Sequence, residues 1–231
     1  MPGVLVLNGG DEFKPGNEPQ DLELVAACAG RPAYVLATAA ARQRPQDAVA
    51  TAKAWFAGLG LEIEELPVLS RRQANDEKLA AQASGAGLIY LTGGDPGLVV
   101  KTLAGTRVWS AIVEAWAGGA ALAGSSAGSM ALCEWTLVIA KWPKHEIRKA
   151  VPGLGLVAGT AVLPHYDTFG HRWAEAGIVD PPSGLLLVGP DERTAAVWSP
   201  AAGWRALGRG NVFGIERLPA PDPENARRDS A

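Results

Sequence analysis

The string Gly124-Ser125-Ser126-Ala127-Gly128 has the residue types and spacing for nucleophilic attack on a carbonyl. It reads G-x-S-x-G after an apolar strand-like run at 120–124 and before a run at 129–135 able to start a helix, the context of a nucleophile elbow. Flanking glycines would let the chain turn sharply there, lifting the Ser126 hydroxyl to the top of a sheet, and the Ala127 N–H would face a developing oxyanion. A Gly/Ser-rich turn without chemistry, or one that cradles phosphate, is the plainer alternative.

A serine hydroxyl is a weak nucleophile near neutrality and needs a base within hydrogen-bond reach. Of the three histidines, His165 ends the strand-like run TAVLPH, whereas His145 lies in the charged segment KHEIRK and His171 follows six residues after His165. His165 is therefore the expected base. A carboxylate should hold its imidazole in the right tautomer. The run LLLVG leads straight into Pro190-Asp191-Glu192, so Glu192 or Asp191 can do this; Asp167 is close to His165, but a residue two positions away often points elsewhere, so Glu192 is preferred with Asp191 and Asp167 as the alternatives. Gly93-Gly94 follows the run LIYLT, which makes the Gly94 N–H the candidate second oxyanion donor.

These residues must be positioned by strands. Short β-rich runs at 4–8, 33–38, 63–69, 88–92 and 120–124 alternate with amphipathic stretches at 46–57 and 108–117. That alternation predicts an α/β fold: a single domain with a mostly parallel sheet and helices on both faces. After Leu163 the runs LLLVG, TAAVW, WRALG and NVFGIE are separated by turns, which predicts extra antiparallel strands at a sheet edge. Residues 1–218 form the expected catalytic domain, and the Pro-rich, charged residues 219–231 the expected disordered tail. In open α/β sheets sites gather at the carboxyl ends of strands, where each candidate above falls.

With 48% apolar and 19% charged residues the composition is that of a globular protein. A net charge of −3 gives no basic face for nucleic acid, and Arg71-Arg72 and Arg227-Arg228 read as solvated surface. Cys28 and Cys133 are too few for a disulfide framework, and no signal-like segment opens the chain, so a reducing cytoplasm is expected. No apolar run reaches the length of a membrane span. No metal-ligand spacing, G-x-G-x-x-G or Walker string appears, so neither metal nor cofactor is expected. GGDEF at 9–13 matches the signature of diguanylate cyclases, but it follows the first strand and is read as coincidence. Five of the eight tryptophans, Trp135, Trp142, Trp173, Trp198 and Trp204, fall in the second half, where they pack a core, line a pocket or form a homodimer contact.

The order Ser126, His165, Glu192 departs from the Ser, acid, His order of α/β-hydrolases. The stretch 88–198, with TGGDPG, GSSAGS, VLPHYD and DERTAAVW, instead resembles the dipeptidase E and cyanophycinase family of serine peptidases, whose sheet is similar to that of class I glutamine amidotransferases. The resemblance implies Ser126 as nucleophile, His165 as base, Glu192 as acid and Gly94 and Ala127 as oxyanion donors. It also implies a small peptide substrate: dipeptidase E removes an N-terminal Asp, and cyanophycinase splits β-aspartyl-arginine links. Cyanophycinases usually carry an R-G-R cluster soon after the histidine, where this chain has Phe169-Gly170-His171-Arg172. An Asp-X exopeptidase is therefore the expected activity, with Arg172 a candidate carboxylate clamp and Asp95 a further substrate-side residue. Cys133, seven residues beyond Ser126, is read as a buried packing residue inside the helix that follows it. The competing reading is a binding protein that keeps the fold without turnover.

Overall fold

The computed structural model describes residues 1–140 and 143–227. Four short apolar runs and one acidic dipeptide form the parallel part of the main sheet: β1 (Leu5–Asn8), β2 (Ala33–Leu36), β4 (Leu88–Leu91) and β5 (Ala121–Ser125), with β3 (Glu64–Glu65) at the edge beside β2. β1, β4 and β5 are buried along their whole length, as expected of strands covered on both faces. Alternate side chains serve the two sides: Leu5, Leu7 and Leu122 join the core that contains Trp116, while Val6, Ala121 and Ala123 join the one built on Phe56 and Tyr90.

The covering helices are α1 (Glu18–Cys28), α2 (Pro45–Gly58), α3 (Arg71–Ala74), α4 (Glu77–Ser84), α5 (Pro96–Leu103) and α6 (Arg107–Ala117). The expected strand at 63–69 shrinks to two residues because Pro67 has no N–H to give a ladder. Arg71 is more than solvated surface, since its guanidinium caps the end of α5 through the carbonyls of Lys101 and Ala104.

After α7 (Ala127–Leu132) the chain builds a second sheet from β6 (Cys133–Ile139), β7 (Arg148–Pro152), β8 (Val157–Val162), β9 (Ile178–Val179) and β10 (Leu186–Pro190). The helix expected to run to residue 135 stops at Leu132, and Cys133 opens a strand. The segment Trp135-Thr136-Leu137-Val138-Ile139 is aromatic and β-branched, and it fits a pleated surface better than another helical turn. β11 (Thr194–Ser199) then pairs antiparallel with β1, and β12 (Gly203–Gly208) forms the antiparallel edge of the main sheet. β13 (Val212–Phe213) closes the second sheet against β10.

The polar run expected to be a disordered tail packs on the domain as far as residue 227. Its short helix α9 (Pro223–Arg227) puts the Ala226 carbonyl 3.2 Å from the Trp109 indole N–H, and Asn225 donates to the Gly155 carbonyl at 2.6 Å. Composition misled because a backbone carbonyl, one side-chain amide and the small buried Ala226 do the docking. Trp142 and Arg228 lie outside the described residues. Among the described residues no helix is long and apolar enough to cross a membrane.

One acidic residue is buried under the sheet. Asp21 on α1 accepts the Trp55 indole N–H at 2.8 Å through one oxygen, while its other oxygen has no partner. Burial pushes its carboxyl up to about 7 from 3.8; the Trp55 bond opposes this, and the charges of Glu12 and Glu18 add to it. The native carboxyl thus keeps its proton where the unfolded one has lost it. Its contribution to stability is complete below about pH 4 and is lost as the pH rises through 7, a change on the order of 4 kcal/mol. Asp21→Asn keeps an acceptor for Trp55 without the charge. It should melt several degrees above wild type at pH 8 and close to it at pH 4. Parallel melting curves across that range would show that Asp21 is ionised in the native state.

Candidate active site

The carboxyl ends of strands from both sheets converge on Ser126. β5 delivers it, with φ 47° and ψ −107°, directly to the start of α7. Such a backbone costs a non-glycine residue on the order of 1–3 kcal/mol and is held only where its surroundings enforce it. Here the Ser126 N–H donates to the Asn8 carbonyl at 3.0 Å, and the neighbouring Ser129 hydroxyl donates to Asn8 and Gly124 carbonyls at 2.8 and 2.6 Å. The two glycines of the motif serve close packing rather than an unusual φ. A Cβ at Gly124 would sit 2.5 Å from the Gly128 backbone, and one at Gly128 would sit 2.4 Å from the Leu91 carbonyl oxygen. The turn's positive φ falls on Ser126 itself.

His165 follows β8, and its Nε2 lies 3.2 Å from Ser126 Oγ. Its Nδ1 lies 2.7 Å from Glu192 Oε1, at the end of β10. With the ring proton on Nδ1 and donated to Glu192, Nε2 is free to accept the Ser126 hydroxyl proton. His165 is also left-handed, at φ 51°, and is fixed by donating its N–H to the Gly9 carbonyl at 2.7 Å. Phe169 stacks on the imidazole at 4.8 Å between ring centres. On the other side Gly10 leaves room for the ring, since a Cβ there would meet Nε2 at 2.3 Å.

The other two candidate acids are occupied elsewhere. Asp167 accepts the Glu192 backbone N–H at 3.0 Å, and Asp191 accepts the Asn211 N–H at 2.7 Å. Asp167 thus anchors Glu192 rather than His165. His171 turns its Nδ1 to the Tyr166 carbonyl at 2.7 Å, and His145 lies in an exposed turn.

At the end of β4, Gly94 has φ 141°. Thr92, Gly93 and Asp95 donate their N–H groups to Leu36 O, Glu12 Oε1 and Ala39 O at 3.1, 2.9 and 2.9 Å, and the Gly94 N–H has no acceptor among the described residues. Ala127 is the first residue of α7, where N–H groups have no intrahelical partner. Asp95 uses its carboxylate to cap α5 through the Leu98 N–H at 3.1 Å. Arg172 is exposed on α8 (His171–Ala176) and makes no ion pair or hydrogen bond among the described residues. Cys133 opens β6 fully buried, and burial pushes its thiol far above the usual range, so it holds no reactive thiolate.

The segment read as a chance GGDEF match lies at this site. Gly9 holds the His165 backbone, Gly10 clears its ring, and Glu12 bridges the Gly93 N–H and the Ser125 hydroxyl, both at 2.9 Å. Asp11 pairs with Lys14 and with Arg193, the latter at 2.7 Å; burial works against its charge, but these bonds outweigh that and hold its carboxyl low. Phe13 packs on Phe56 and Tyr90 in the core. The signal of this role in the sequence was position: the segment follows the first strand of the sheet in which β4 and β5 lead to Gly94 and Ser126.

The described second-half tryptophans do not form one wall. Trp135 lines a cavity of about 280 Å³ with Trp109 and Ala226, Trp198 packs on Trp116, and Trp204 bonds the Pro219 carbonyl. Trp173 approaches the site through Phe169, 5.6 Å away.

The fold and the sequence both have relatives among known proteins. The solved structure of a peptidase from an acI-B1 Actinobacterium superposes with a TM-score of 0.82 at 29% identity, covering 96% of this chain and 93% of that one. A cyanophycinase of Trichormus variabilis is 26% identical over 214 residues, 90% of this chain and 72% of the relative. One of Synechococcus elongatus is 27% identical over 162 residues, 68% of this chain and 50% of the relative. The model of peptidase family S51 matches residues 5–192, which contain Ser126, His165 and Glu192, and the chain belongs to that family.

Proposed function

We propose that this peptidase works through an acyl-enzyme on Ser126. The observation that carries the reading is the continuous line from Ser126 Oγ to His165 at 3.2 Å and on to Glu192 at 2.7 Å, starting from a serine held at positive φ. His165 Nε2 takes the hydroxyl proton as Oγ bonds to the peptide carbonyl carbon. The carbonyl oxygen gains the negative charge and is met by the N–H groups of Gly94 and Ala127. Collapse breaks the C–N bond, and the leaving amine takes the proton from His165. Water, deprotonated by the same imidazole, then bonds to the acyl carbon; the carbon–Oγ bond breaks, His165 returns the proton to Ser126 Oγ, and the acyl group leaves as a carboxylic acid.

The substrate is a short peptide with an N-terminal aspartate. The resemblance to dipeptidase E supports this choice, and Arg172, which makes no ion pair or hydrogen bond among the described residues, is a candidate cation for the substrate carboxylate. A second reading, cleavage of β-aspartyl-arginine links, is favoured by the matches to cyanophycinases. Purified protein should be assayed on Asp-X, Glu-X, β-Asp-X, amino-blocked and neutral peptides, with Ser126→Ala as control. Ser126-dependent release of N-terminal Asp is the expected result. Release from β-Asp-Arg alone establishes the second reading, and cleavage confined to blocked or neutral peptides discards both specificities.

A further inference from the structure

From the hydrogen bonds of Glu12 we infer that this residue is the positioning residue of the oxyanion hole, tying the Gly94 donor to the Ser126 turn. The inference rests on the acyl-enzyme reading above. Its basis is a single carboxylate with two partners on separate strands. Oε1 accepts the Gly93 N–H after β4, and Oε2 accepts the Ser125 hydroxyl at the end of β5, each at 2.9 Å.

The two partners are the immediate neighbours of the residues that must act together. Gly93 precedes Gly94, and Ser125 precedes Ser126. Along residues 92–95, three N–H groups are committed to internal acceptors, and the one left over belongs to Gly94. The Gly93–Gly94 link is therefore clamped at both ends, by Glu12 on one side and by Asp95 N–H to Ala39 O on the other. Glu12 is the side chain that holds the Gly93 N–H; the Thr92 hydroxyl donates to the Gly93 carbonyl at a longer 3.4 Å, and the Thr92 and Asp95 N–H bonds are backbone to backbone. Gly93 is also the point of closest approach, because a Cβ there would lie 3.1 Å from Glu12 Oε1 and 3.5 Å from Ser126 Cβ.

A negative charge near a developing oxyanion opposes catalysis unless its geometry is worth more than its field costs. Two neutral donors on its oxygens satisfy the Glu12 carboxylate locally, and the need for a rigid double acceptor explains its presence. This separates position from charge. Glutamine can still accept from Gly93 through its carbonyl and can donate to Ser125 Oγ, whereas alanine leaves the Gly93 N–H unpaired and the loop free to rotate.

The test is steady-state kinetics on the peptide that wild type cleaves, together with rates of fluorophosphonate labelling and melting temperatures. E12A should lose about 10²-fold in kcat and in labelling rate with KM within about threefold, the size of effect seen when an oxyanion donor is lost. E12Q should recover most of that loss. Should E12A fail to fold, Ser125→Ala, which removes one of the two bonds, decides: a kcat about tenfold down at unchanged melting temperature supports the role, and an unchanged kcat overturns it. E12A at wild-type kcat, or E12Q as impaired as E12A, also overturns it. Wild type inert to the probe defeats the acyl-enzyme reading and this inference together, whereas labelled wild type with an undiminished E12A defeats this inference alone.

Discussion

Ser126→Ala should lower kcat by about 10⁴-fold or more and abolish fluorophosphonate labelling, while the melting temperature stays near that of wild type or rises. The kinetic effect is large because no other group can take over. Cys133, the nearest thiol in sequence, is buried in β6 with its thiol held protonated. Ser125 has its hydroxyl committed to Glu12, and Ser129 has its hydroxyl committed to two carbonyls. A rise in stability would have a local cause: the hydroxyl is not needed to hold the turn, since the Ser126 backbone N–H makes the bond to Asn8. Catalytic turns often store strain that stability alone would not retain. Full activity in Ser126→Ala would move the chemistry elsewhere. A wild type inert to every peptide and to the probe would leave a binding protein with the peptidase fold.

The main sheet was legible in the sequence because its strands are buried on both faces and read as short apolar runs separated by amphipathic helices. The candidate site was legible because Ser126 and Gly94 follow strands of this sheet while His165 and Glu192 follow the two apolar runs that become β8 and β10, and strand ends are where an α/β sheet exposes chemistry. The second sheet was mostly hidden. Its strands carry half-exposed and polar positions, as in Arg148–Pro152, and β9 and β13 have two residues each. Their pairing depends on contacts distant in sequence, which a local pattern does not encode. The short α7 was overextended because nothing in Ala127–Leu132 stops a helix. What ends it is the demand of β6 for partners on β7 and β8.

Glu12 was missed for a different reason. Its partners are 81 and 113 residues away, and no local spacing marks a carboxylate that works by accepting two remote donors. A familiar five-letter string at 9–13 also drew attention to the wrong comparison. β1 lies beside β5, which delivers Ser126, so its own carboxyl end also falls at the site. That end sets Gly9 and Gly10 against His165, and Glu12 against Gly93 and Ser125.

Glu192→Gln should cost about 10³- to 10⁴-fold in kcat with little change in melting temperature, through the tautomer of His165. Glu192 accepts the Nδ1–H at 2.7 Å, which leaves Nε2 unprotonated toward Ser126. A glutamine amide can turn its NH2 toward Nδ1, which stabilises the tautomer with the proton on Nε2, and that tautomer cannot accept from the serine. It also withdraws the negative charge that steadies the imidazolium formed when the proton is transferred. Two comparisons isolate the effect. Asp191→Asn keeps an acceptor for the Asn211 N–H and should stay within a few-fold of wild type. Asp167→Asn keeps an acceptor for the Glu192 N–H and should lose no more than about tenfold, because it acts only on the placement of the acid. If Asp167→Asn were instead the variant that lost three or more orders of magnitude and Glu192→Gln remained active, the imidazole in the working enzyme would have to turn from Glu192 to Asp167. That turn would also break the stack of Phe169 on the ring. Phe169→Ala would then be nearly neutral in kcat, whereas with Glu192 as the acid it should lower kcat measurably by freeing the imidazole.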